Sequence, residues 1–269
     1  MKKSLLLGVF ILMLTACSHH QQNVDTTNLN SLESVRINPR ASSSSPEGLS
    51  SLRSRSLKDT ALSLGAQGGL AWSSTEINKW LTTEQKYLDS IFNFNPLMLE
   101  HGVMPPVLEM GDDSLNLADP NTIRVADRTY KIVQQAQFAT TPPNWRDYLM
   151  LNYSKPEMPD RTLLPRSSAE QKVWRDAIRL GWDKGVEQGY AIFQQNLSRL
   201  KRDFNGMLIY RRLLKEKMIS SPYVARTELG VTGDGNDMRI NDQVLRIVEH
   251  PQLQTNSKGW RAIVVKDKY

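Results

Sequence analysis

Cys17 is the only cysteine among 269 residues, and it stands directly behind Leu14-Thr15-Ala16. A thiol in that setting is built to take a lipid. Lys2 and Lys3 supply a basic start, Leu5 to Leu14 an apolar run, and Thr15-Ala16 the small residues that a signal peptidase accepts before its cut. The pattern is a bacterial lipobox. In such motifs the thiol receives a diacylglycerol, cleavage leaves Cys17 first in the mature chain, and its freed amine is acylated in turn, palmitate being the expected acyl group. Residues 4–16 are too few to cross a bilayer, which takes about 18 or more apolar residues. An ordinary signal peptide with an unrelated cysteine at the cut is the competing reading. Ser18 is not the aspartate that tends to hold lipoproteins in the inner membrane, so in a Gram-negative envelope the expected place is the outer membrane, with the chain facing the periplasm. Several acyl chains, at about 0.8 kcal/mol per buried methylene, anchor a protein durably.

Other reactive types are sparse. The four histidines are His19, His20, His101 and His250, with no H-E-x-x-H and no second cysteine, so zinc lacks its usual ligands. No G-x-S-x-G elbow and no G-x-x-x-x-G-K-[ST] phosphate loop occurs. Gly233-Asp234-Gly235-Asn236-Asp237 resembles the middle of a calcium loop but lacks the full spacing and the distal glutamate that complete the oxygen shell. A tight turn is the better reading. Glu100, Asp112 and Asp113 are the carboxylates best suited to acid–base work were this an envelope enzyme. The expectation is no catalytic residue, no metal and no cofactor.

The formal net charge is +6, and it falls by two when Lys2 and Lys3 leave with the leader. That is mildly basic. The pairs Lys201-Arg202 and Arg211-Arg212 lie in helical pattern, where solvated faces explain them, so direct nucleic-acid binding is not expected. With its one thiol lipidated, the chain can form no disulfide.

The elements follow from composition and period. Residues 1–16 read as the lipoprotein signal peptide and residues 17–56 as a lipidated flexible tether, rich in Ser, Asn and Gln, spanning roughly 35 Å as a coil. Deleting about 15 residues within Asn23 to Gly48 should therefore cost little stability. Residues 57–269 read as one periplasmic domain. Leu57 to His101 is mainly helical in period, with Gly65, Gly68 and Gly69 suggesting close packing. Val107 to Gln137 turns to short half-buried strands, and Trp145 to Leu149 to a short helix. Ser167 and Glu170 form a capping box before one long helix at about 168–204. Gly181, Gly185 and Gly189 stand four apart on it and predict a groove for another backbone. Asn205-Gly206 should stop this helix, and a second should run from Met207 to Met218. Pro222 to Val231 is extended in character. Met238 to Val248 reads as a β-hairpin about Asn241-Asp242, and Ile263 to Val265 supplies a further short strand. The sum is α+β: several helices packed with a small, mostly antiparallel sheet. Trp145, Tyr223 and Trp260, set near prolines or polar neighbours, are candidate interface anchors.

Beyond pattern, the wording of the chain is informative. Lys58 to Trp72 (KDTALSLGAQGGLAW), Phe94 to Leu108 (FNPLMLEHGVMPPVL), the pieces LADPNTIRVADRTYKI and FATTPPNW, Met207 to Leu214, and PYVARTELGVTGDG with INDQVLRI closely resemble the DotC family. The resemblance runs from about Leu57 to Trp260. It implies an outer-membrane lipoprotein of type IVB (Dot/Icm) secretion or of the related IncI-type plasmid conjugation machinery. Such a protein is non-enzymatic, part of a ring-shaped hetero-oligomeric core complex, and works beside a DotD-like lipoprotein to bring a DotH-like subunit to the outer membrane. Cys17 matches the family's lipidated cysteine. Members of the effector-secreting machines continue into a C-terminal extension where this sequence ends at Tyr269, which favours the conjugation version. Two other classes remain as alternatives: a periplasmic ligand- or peptidoglycan-binding lipoprotein, and an envelope enzyme.

Overall fold

The computed structural model describes residues 24–37 and 51–261. Cys17 and its lipobox, His19, His20 and the strand expected at Ile263 to Val265 lie outside the described residues. Two long helices dominate: α2, Ser51–Thr83, of 33 residues, and α5, Ser168–Lys215, of 48. At a rise of 1.5 Å per residue the second is about 72 Å long. It starts where its cap dictates, because the Ser167 hydroxyl accepts from the Glu170 amide at 3.2 Å.

The two helices run parallel. Gly65 faces the carbonyl of Ile178 and Gly69 that of Trp182, while Gly181 faces Leu62 and Gly185 faces Ala66, so the contacts climb both sequences together. At each of these points a Cβ would stand 2.0–2.3 Å from a carbonyl oxygen of the other helix. Glycine alone lets the backbones touch, leaving Cα hydrogens aimed at carbonyls as weak hydrogen bonds. Both N-termini are pinned together by Arg53, which donates from Nε to Glu170 Oε1 at 2.9 Å and from Nη2 to the Leu164 carbonyl at 3.1 Å.

A parallel pair needs a long return. After α3, Gln85–Ile91, the two-residue strand β1, Val103–Met104, pairs with β4, Gln137–Phe138, on either side of a long hairpin. That hairpin is β2, Val107–Asp119, with β3, Thr122–Gln134. Helix α4, Trp145–Leu149, follows a capping box on Asn144 and Asp147. Residues 150–167 then run back along α2: the Asn78 side chain brackets Leu151, donating to its carbonyl at 2.6 Å and accepting from its amide at 3.0 Å. The last hairpin is β5, Tyr223–Gly233, with β6, Met238–Glu249. Helices with small antiparallel sheets make the fold α+β.

Three readings of the sequence need correction. Residues 24–37 and 51–56 are not tether: the second stretch opens α2, and in the first a short helix α1, Leu29–Glu33, packs against both long helices. Its Leu32 is fully buried, the Leu32 carbonyl accepts from Trp174 Nε1 at 2.9 Å, and Thr26 donates to the Pro156 carbonyl at 2.7 Å. Polar composition hid this, because the apolar residues that dock, Leu32 and Val35 with Val24, Leu29 and Ile37 beside them, are spread among polar ones. Hydrogen bonds and ion pairs do the rest, among them Gln171 to the Glu33 carbonyl at 2.8 Å and Arg179 to the Glu33 carboxylate at 2.9 Å. Nor does Asn205-Gly206 end the long helix, which continues to Lys215. Gly206 is a crossing point: a Cβ there would meet the Leu108 backbone at 2.7 Å, where β2 passes over the helix. Finally, the last hairpin turns at residues 234–237, not at Asn241-Asp242. Asn241 instead takes φ +58° in a bulge, between the pairs Gly230–Asp242 and Thr232–Arg239.

Candidate assembly interface

Side chains on facing strands alternate between two faces, so pairing decides what each face presents. At the root of the first hairpin, Leu108 pairs with Ile132 and Met110 with Tyr130. That face packs on Tyr210, Leu213 and Ile219. Farther out the hairpin leaves the body and the opposite face turns apolar: Leu115 pairs with Val125, next to Ile123, with exposures of 68%, 69% and 54%.

The second hairpin repeats the arrangement. Gly233 pairs with Met238, which places Met238, Ile240 and Val231 on one face, 65–68% exposed. Its turn is self-contained. Asp234 accepts from the amides of Asn236 at 2.8 Å and Asp237 at 3.1 Å, and these bonds hold its carboxyl below the usual carboxylate range. The Asp234 carboxylate thus serves the turn itself. Among the described residues both hairpins are two-stranded sheets with unpaired outer edges, and a lone two-stranded hairpin is marginally stable in water.

The residues singled out in the sequence fall in different places. Gly181, Gly185 and Gly189 are covered by α2, the last against the Ser73 hydroxyl. Trp145 is a core residue and not an exposed anchor: it is 1% exposed, and its Nε1 donates to Asp89 at 2.7 Å. Arg146 closes that corner, its guanidinium 4.2 Å from the ring centroid and bonded to the same carboxylate. The Asp89 carboxyl is held low by Arg146 first and Trp145 second. Tyr223 is exposed at the start of β5; Trp260 is half-exposed, its Nε1 donating to the Gln254 carbonyl at 2.9 Å. What sequence reasoning missed is the apolar ends of the two hairpins. Leu115, Ile123 and Val125 looked like ordinary half-buried strand residues, since alternation reports a face without saying what covers it.

Among the described residues, no group of three or more His, Cys, Asp or Glu is placed to hold a metal ion, and no helix is long and apolar enough to cross a membrane. Asp112 is tied to Arg128 at 3.0 Å, and Asp113 takes φ +49° on the same strand. A depression of about 360 Å³ near Trp260, lined by Leu214, Lys217, Ile219, Gln254, Asn256 and Gly259, carries one charge and no acid–base pair.

A family model described as type IV secretory system, conjugal DNA-protein transfer, matches residues 51–262. No curated relative matches the sequence. The matched span takes in both glycine-packed helices and both projecting hairpins. On that match the chain belongs to the TraI family of type IV secretory systems, a component of conjugal DNA–protein transfer.

Proposed function

We propose that this chain is a structural lipoprotein of the outer-membrane core complex of its transfer machine, in the manner of the DotC family that it resembles. It catalyses nothing. Acylated Cys17 holds it to the outer membrane from the periplasmic side, and the domain helps to localise and assemble its neighbours, a DotD-like lipoprotein and a DotH-like core subunit, in a ring-shaped hetero-oligomer. The observation that carries this reading is the pair of hairpins whose ends expose Leu115, Ile123 and Val125, and Val231, Met238 and Ile240. Contiguous exposed apolar surface of this kind marks sites of protein association. The two long helices, locked backbone to backbone, serve as the rigid post from which the hairpins project.

The test has two arms. Cys17→Ser should leave a folded chain that no longer fractionates with outer-membrane vesicles. Affinity purification of the wild-type chain from cells carrying the whole machine should bring down the other core subunits, and the double change Leu115→Asp with Ile240→Asp should abolish that recovery. A Cys17→Ser chain still firmly in vesicles without its partners overturns the anchor. Undiminished recovery with the double variant overturns the scaffold role of the hairpins.

A further inference from the structure

The hairpin β2–β3 carries its charges in an unusual order. Strand β2 holds four acids and no base, and three of them, Glu109, Asp112 and Asp113, are exposed. Strand β3 holds Arg124, Arg128 and Lys131 against the single acid Asp127. Among the described residues each strand has one neighbour, so the sheet has an acidic outer edge and a basic outer edge. Free strand edges are templates for pairing with another chain, and charges on them usually prevent it. Here the segregation changes that outcome: acidic edge repels acidic edge, basic repels basic, and acidic attracts basic.

We propose that a second copy of this chain occupies each edge, β2 of one protomer adding to β3 of the next, head to tail. The cross-strand pairs already present show what that contact offers. Inside the hairpin Glu109 stands opposite Lys131 and Asp112 opposite Arg128. A neighbouring copy added in the same sense sets its own Lys131 and Arg128 beside the free side of Glu109 and Asp112. Such a contact is heterologous, and heterologous contacts close into rings or extend as filaments. The inference deepens the assembly role proposed above but does not depend on the membrane anchor or on the other subunits.

The experiment uses the full chain under two different tags, produced without the rest of the machine and solubilised in mild detergent. A swapped chain carries Glu109→Lys with Lys131→Glu and Asp112→Arg with Arg128→Asp, so both internal pairs survive with their polarity reversed. Wild type should copurify with wild type and swapped with swapped, while the mixed pair falls at least tenfold. Raising the salt should weaken both like-with-like pairs, as exposed charges are screened. Should the swapped chain melt early, the single exchange Glu109→Lys with Lys131→Glu replaces it and is read the same way, with a smaller fall for the mixed pair. Copurification of all three combinations, or of none, overturns the proposal. Loss of the hetero-oligomer with this self-association intact would instead count against the wider assembly role alone.

Discussion

Gly185 meets Ala66 backbone to backbone: a Cβ on the glycine would lie 2.0 Å from the Ala66 carbonyl oxygen. Helix propensity alone favours alanine over glycine at such a site by about 1 kcal/mol. The contact reverses that sign, because the opposing atom belongs to another helix's main chain and cannot rotate away. Gly185→Leu should destabilise the chain by about 1–3 kcal/mol or more, read as a lower midpoint in chemical denaturation. Gly235→Leu, at a turn with nothing within 4 Å of a Cβ, is the control and should melt like wild type. Equal midpoints for the two would mean that the helices are not packed through this row.

The pair Arg53–Glu170 gives the fold a pH dependence. Glu170 sits at the start of α5 with its carboxyl held below the ordinary 4.5, first by the Arg53 hydrogen bond and further by the Arg166 amide, against a burial penalty. A carboxyl depressed on folding binds its proton more weakly in the native state. Its contribution is therefore present above about pH 4.5 and lost as the pH falls through the folded value. Stability curves of wild type and Glu170→Gln should lie apart at neutral pH and converge toward pH 3. A constant gap across that range would assign Glu170 a packing role only.

Much of this architecture was legible and some was not, for physical reasons. The cap at Ser167 and the four-residue spacing of Gly181, Gly185 and Gly189 are local signals, and each led to its element. Gly206 misled because a glycine at a helix end and a glycine at a crossing look the same until β2 is laid over it. Trp145 misled in the same way: prolines nearby suggest a surface, but Asp89, 56 residues earlier, holds its indole inside. The separation of charge between β2 and β3 was written in the sequence. It acquired meaning only once β2 and β3 were seen to pair, among the described residues, with each other alone.

Residues 24–37 supply a sharper case. Composition predicted that shortening this region would cost little, yet Leu32 is fully buried beside Leu57, Leu64 and Trp174. Leu32→Ala removes a buried side chain from a packed site, and such changes cost about 2–5 kcal/mol. Leu52→Ala, at a position 75% exposed on α2, removes the same atoms from solvent. Only the first should lower the denaturation midpoint.

Arg146 and Trp145 both rely on Asp89, and that convergence separates a structural carboxylate from a functional one. Asp89 accepts from the indole at 2.7 Å, and from the guanidinium at 2.7 Å through one oxygen and 3.3 Å through the other. Removing the carboxylate leaves a buried indole N–H without its partner, a loss of about 1–3 kcal/mol. Asp89→Ala should therefore destabilise the chain, whereas Asp89→Asn, which keeps an acceptor oxygen for the indole, should recover part of the loss. Tryptophan fluorescence reads the same event independently, since an indole released from its pocket emits further to the red. If Asp89→Ala matched wild type in midpoint and emission, the corner around α4 would be loose, and Trp145 would return as a candidate contact for a partner subunit.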